Sequence, residues 1–443
     1  MEQNILKFFC GFLILATSSA APAGQNSRRS NRASRTVATQ TTSKERNAGW
    51  TSDLDALIKV LREKHWRYRD CSFPDAFVKR EAAIRRSIPQ LTDDQVGVEF
   101  QSLLATLNDG HTLVFPFGMK RGGLSHLPVA FYDFEDGPAI VATDPAHAFM
   151  IGRKVLSIGG VSVANLVERA TPFMSLENKS QRRWVFPTYL TFPAFLRAAG
   201  VVMETNAIAV SIETDSGPQT VTLNPDPAPI DPEQLVLGMI PPPAPTVAPL
   251  FLSRLRDAYW FTTLSDDTIV YFQMNRVGNT KAEPLDRFSP RLLQTLLRPE
   301  TKALIVDLRN NNGGNGALLP PLVRSLVTFH GMRPTAPIYV MIGRQTFSAA
   351  QTLVNRLEEY VDPIFVGEDT GSKPNRFGNG SGFQLPYSGI IGEISTGYNQ
   401  AATSRDTRAA TSPSIRIGMK LSDWRAGRDV TLDHVLTLLG KQH

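Results

Sequence analysis

A chain of 443 residues with 42% hydrophobic content can bury two or three ordinary globular cores. The net charge of +6 is concentrated between Gln25 and Gly49, where Arg28, Arg29, Arg32, Arg35, Lys44 and Arg46 face only Glu45, a local excess of +5. The rest is close to neutral and has no basic-aromatic motif, so nucleic acid is excluded as an expected partner.

Residues 1–23, "MEQNILKFFCGFLILATSSAAPA", have the layout of a cleavable secretory signal: Lys7, an apolar run from Phe8 to Ala16, then small residues through Ala23. The run is too short to span a bilayer, so an exported, periplasmic or extracellular protein with no stable span after cleavage is expected. Glu2 is out of place in a cationic n-region. Cleavage removes Cys10 and leaves Cys71 alone, which rules out an internal disulfide and a cysteine-built metal site. Residues 24–49, rich in Ser, Thr, Asn and Arg, read as a disordered tether.

Residues 50–125 read as helical. Leu54, Leu57, Ile58 and Leu61 mark one helical face, and Thr92 with Gln95 forms a capping box before Val96, Phe100, Leu103, Leu104 and Leu107. Asn108-Asp109-Gly110 stops that helix, and His111 follows at the corner before the β-prone "TLVF". A surface or core-edge histidine is the plain alternative there.

Residues 126–224 read as β-rich, with "LPVAFYDF", "PAIVAT", "KVLSIGGVSV" and the hairpin "AIAVSIETDSGPQTVTLNP". "IGRKVLSIGGVSV" is similar to the strand-turn-strand signature of PDZ modules, which bind extended peptides, though a simple hairpin also accounts for it. Residues 225–249 hold nine prolines and read as an extended connector.

Residues 250–443 alternate strand and helix. "TIVYFQM", "KALIVDL", "PIYVMI" and "PIFVG" predict a parallel βαβ sheet whose sites gather beyond the carboxyl ends of the strands. Asp307 to Gly316, with Gly313 and Gly314, lies at that edge; no Walker lysine follows the glycines. Ser348 follows the strand Ile338 to Ile342 and opens a helix with Ala350, Leu353, Val354 and Leu357 on one face. It reads either as an N-cap or as a nucleophile, because free amides and the macrodipole at a helix start favour negative charge.

Four segments, "LNDGHTLVF", "ALIVDLRNNNGGNG", "RQTFSAAQTLVNRLE" and "VGEDTGSKPNRFGNGSGFQLPYSG", resemble in order those of the C-terminal processing or tail-specific serine peptidases, closer to the tricorn-core branch. The resemblance covers most of residues 50–443. It implies an α/β fold with a Clp/crotonase-like catalytic core, preceded by a helical region and a PDZ-like β module. It also implies a serine peptidase acting on peptide or unfolded protein, with no metal or organic cofactor.

By position Ser348 matches the nucleophile, and Gly313, Gly314 and Ala349 match the oxyanion hole. Two bases fit. Lys373 stands 25 residues after Ser348, as in the tail-specific branch, while His111 in "DGHT" matches the tricorn-like branch, with Asp406 as its orienting acid. The lysine branch's following Gly is absent, and Phe377 replaces its Gln. Gly110 replaces the hydroxyl beside the tricorn histidine. A lysine base needs its pKa lowered by several units and the loop around Lys373 is polar, whereas a neutral histidine needs little tuning, so His111 is favoured. A silent peptide-binding protein on the same scaffold is the main alternative. A crotonase-like acyl-CoA enzyme would need a basic nucleotide pocket, for which no cluster is evident.

Overall fold

The computed structural model describes residues 42–115, 124–226 and 238–440; the expected export signal and most of the expected tether lie outside them. A helix runs over Ser43–Lys64, so the helical region begins inside the expected tether. The cause is local. Thr42 and Glu45 form a capping box, and Arg46 bonds Asp93 and the carbonyls of Ile88 and Leu91.

Helices Asp75–Ser87 and Asp93–Ala105 complete this layer, the second started by Gln95 reaching back to the Thr92 amide. Trp50, Leu54, Leu57, Phe77, Phe100 and Leu104 form its core, which also takes in Val114 and, from the far end of the chain, Phe383, Ile390 and Ile394. Those last residues belong to a hairpin, Asn375–Gln384 with Ile391–Gln400, whose second strand pairs antiparallel with Leu113–Phe115. Buried Asp53 fastens the hairpin turn by accepting the amides of Tyr387 and Ser388.

Residues 126–224 hold the expected strands: Val129–Phe134 pairs with Gly137–Thr143, and a four-stranded sheet has the order Val161–Ser162, Val155–Ile158, Ile208–Thr214, Gly217–Leu223. This region also carries helices Val163–Ala170, Lys179–Tyr189 and Pro193–Ala198, which its β-rich reading leaves out.

The sheet of residues 250–443 has six strands, in the order Ile415–Arg416, Ile364–Gly367, Ile338–Ile342, Ala303–Asp307, Ile269–Met274, Tyr259–Leu264. All neighbours are parallel except the last pair. Period two sends Val270, Phe272, Leu304, Val306, Val340 and Ile342 to one face, under helices Leu285–Leu296, Pro320–Met332 and Ala349–Tyr360. The opposite set, including Tyr271, Ile305 and Tyr339, packs on Leu432, Val435 and Leu439 of Val430–Gly440. Sheet strands buried on both faces leave only their carboxyl-end loops for chemistry.

Candidate active site

Ser348 sits where the strand Ile338–Ile342 turns into the helix Ala349–Tyr360. Thr346 builds the turn: its hydroxyl donates to the Leu308 carbonyl and accepts the Gly343 amide. The serine backbone is forced to φ +53°, ψ −120°, and its hydroxyl makes no capping bond. A non-glycine residue at positive φ is strained, and such strain concentrates at functional sites. Ser348 therefore occupies the cap position while its oxygen stays free of capping. Its amide donates to Ser372 Oγ at 3.0 Å.

The glycine turn meets it from the neighbouring strand. Gly313 has φ +110°, and a Cβ there would lie 2.6 Å from Ser348 Cβ and 3.0 Å from the Ala349 nitrogen. Only glycine admits that approach. Gly314 is pinned by Val277, whose amide donates to the Gly313 carbonyl and whose carbonyl accepts the Asn315 amide. The Gly313 amide is taken by Asn311 Oδ1 at 2.9 Å. Among the described residues no hydrogen bond occupies the amides of Gly314 and Ala349, so these two are the free donors beside Ser348.

His111 is buried, and its ring stacks on Phe347, the residue before Ser348, at 4.4 Å between centroids. Its Nδ1 meets Glu177 Oε1 at 3.0 Å, while Nε2 is buried without a partner among the described residues. A carboxylate on Nδ1 fixes the tautomer with the proton there and leaves Nε2 as an acceptor. Burial lowers the His111 pKa, but the hydrogen bond and charge of Glu177, with Asp109 and Glu393, outweigh it and raise it above 6.5.

The corner that holds His111 is itself locked. Asp109 accepts from the His111 amide, the Thr112 hydroxyl and His65 Nε2. Burial pushes Asp109 up, yet His65, His111 and Thr112 together hold it below 3.8.

The carboxylate on His111 is thus Glu177, not Asp406. Asp406 is engaged by Arg408, which also grips Glu358. Glu177 arrives from just before the helix Lys179–Tyr189. Asn178 caps that helix and donates to the carbonyls of Thr370 and Ala409, and the Ser180 hydroxyl donates to that of Asp369. A Cβ on Gly110 would lie 2.7 Å from the Gln181 amide and 3.0 Å from Glu177 Cγ, so the missing hydroxyl is the space these side chains fill. That substitution was the one sequence signal for a different partner. Lys373 contributes its backbone amide, which donates to Glu177 Oε2 at 2.9 Å; its ammonium has no hydrogen bond or ion pair among the described residues.

Among the described residues no cluster of His, Cys, Asp and Glu could hold a metal ion. No helix there is long and apolar enough to cross a membrane.

No protein-family model and no curated protein matches the chain. Solved structures do. Mature CPAF complexed with lactacystin aligns over 89% of this chain and 98% of its own, at 14% identity and a TM-score of 0.62. Mature CPAF aligns over 89% and 97%, at 15% identity and a TM-score of 0.61, and a CPAF serine mutant gives 14%, 89%, 97% and 0.61. Over 89% of its length, this chain shares the α/β fold of CPAF.

Proposed function

We propose that this chain is an exported serine peptidase that hydrolyses peptide bonds through Ser348, as the resemblance of its four motifs to the C-terminal processing peptidases implies. The observation that carries the reading is a strained serine beside two free amides, with a carboxylate-held histidine stacked on the residue before it.

His111 Nε2 takes the Ser348 proton as Oγ attacks the peptide carbonyl, and Glu177 stabilises the imidazolium that forms. Hydrogen bonds of this kind are often open before substrate binds and close in the complex. The amides of Gly314 and Ala349 receive the oxyanion, each contributing about 3 kcal/mol to lowering the barrier. The imidazolium then protonates the leaving amine, and water, deprotonated by the same nitrogen, hydrolyses the ester. Gly313 supplies space for the attack, and residues 126–224 take up extended substrate.

Labelling with a fluorophosphonate probe tests this. Ser348 should be modified in the wild type, not in Ser348→Ala, and about 100-fold more slowly or worse in His111→Ala, with Lys373→Ala close to wild type. A wild-type protein left unlabelled would make the chain a silent peptide-binding scaffold. Acylation that survives in His111→Ala and vanishes in Lys373→Ala would make Lys373 the base.

A further inference from the structure

Behind the nucleophile lies a cation without a carboxylate of its own. Arg376, in the strand Asn375–Gln384, is buried. Its Nη2 donates to the Ser348 carbonyl and, at 2.8 Å, to the Thr352 hydroxyl; Nη1 donates to the Pro374 carbonyl at 3.3 Å. Its Nε is buried with no partner among the described residues. Partly buried Arg309 and buried Arg344 differ. Arg309 grips Asp307 and Asp429, and Arg344 grips Glu368.

The acceptors on Arg376 are two carbonyls and a hydroxyl, which a neutral amide side chain could satisfy at far lower desolvation cost. Burial pulls this guanidinium down to about 10, opposed by the charge of Glu177. A buried cation that lacks an ion pair is worth keeping where negative charge appears transiently. Attack by Ser348 produces such charge one residue backbone away.

We infer that Arg376 is a positioning residue for acyl transfer: fixed on the carbonyl of Ser348, its positive charge favours the anion that forms during attack, beyond what the Gly314 and Ala349 amides supply. The inference rests on Ser348 being the nucleophile. It assigns the charge, not only the hydrogen bonds, to the chemistry.

A peptide boronic acid, which forms an anionic tetrahedral adduct on a catalytic serine, separates the two contributions when compared with the neutral peptide of the same sequence. In Arg376→Gln, boronate affinity and kcat on a small ester should fall by about 30-fold or more, with KM and neutral-peptide affinity within about twofold of wild type. Arg376→Lys, which keeps the charge, should return boronate affinity to within about fivefold. Equal losses for boronate and neutral peptide, or unchanged boronate affinity in Arg376→Gln, overturn the inference. If Arg376→Gln fails to fold, a loss beyond about 30-fold in Arg376→Lys overturns it as well. A wild type that neither binds boronate nor reacts with fluorophosphonate sinks the nucleophile reading and this one with it. A labelled wild type with an indifferent Arg376→Gln sinks this one alone.

Discussion

Glu177 touches His111 with one oxygen and the Lys373 amide with the other, so a single carboxylate ties the histidine to the loop beside Ser348. As the proposed base, His111 must be neutral to accept a proton, and Glu177 raises its pKa. Activity should therefore climb with rising pH through a value above 6.5. Glu177→Gln removes the charge that favours the imidazolium, so the acidic limb of kcat/KM should move to lower pH while kcat falls about 100-fold or more. A limb that stays put in the variant would remove Glu177 from the reaction. Ser348 and His111 were legible because each follows a local stop or turn signal. Glu177 was not: it lies in a polar stretch 66 residues from His111, and nothing in "SLENKSQRR" marks it beyond a cap at Asn178. Asp406 was suggested by order along the chain, which says nothing about which carboxylate reaches the ring.

At the scale of elements, the site is two turns pressed together, one rich in glycine and one strained at serine. Gly313→Ala would place a methyl 2.6 Å from Ser348 Cβ at φ +110°. The backbone strain should cost about 1–3 kcal/mol of stability. Displacement of the Ala349 amide should slow acylation by about 100-fold or more. Thermal melting and single-turnover acylation measure the two losses separately, and near-normal acylation would place the oxyanion elsewhere. The four central strands were readable from unbroken apolar runs, since burial on both faces leaves no alternation. The helices within 126–224 were harder. Lys179–Tyr189 contains Pro187 and opens on charged residues, and its inward face shows only against neighbours the sequence does not display.

For the whole molecule, the join between residues 126–224 and the sheet region sets an ionic cluster beside an apolar one in which Phe134 and Val141 pack on Phe251, Leu421 and Trp424. Arg183 meets Asp133, Glu135 and Glu368, and Arg344 meets Glu368 and the Asp133 carbonyl. Burial would raise the Glu368 pKa, but Arg344 and Arg183 outweigh it and hold it at about 2 against an ordinary 4.5. A depressed carboxylate contributes stability that is complete above 4.5 and is lost as pH falls toward 2. The melting temperature should accordingly drop across that window. Glu368→Gln should flatten that drop and, by taking from buried Arg344 its nearest carboxylate and leaving it only the more distant Asp133 and Glu135, cost about 3 kcal/mol at neutral pH. An unchanged acid limb in the variant would assign the loss to other groups. Which charges meet across this join could not be read from a chain where Arg183 and Glu368 stand 185 residues apart.

The hairpin strand Ile391–Gln400, paired with Leu113–Phe115, holds the corner that presents His111. A ribosome therefore finishes the helix that follows Ser348 before it has made the strand that seats His111. Until Gln400 has emerged, a growing chain holds Ser348, Glu177 and His111 without the full strand that seats the histidine corner. If Ser348 is the nucleophile proposed above, hydrolysis begins only once that long strand docks, so timing is written into the order in which the chain is made.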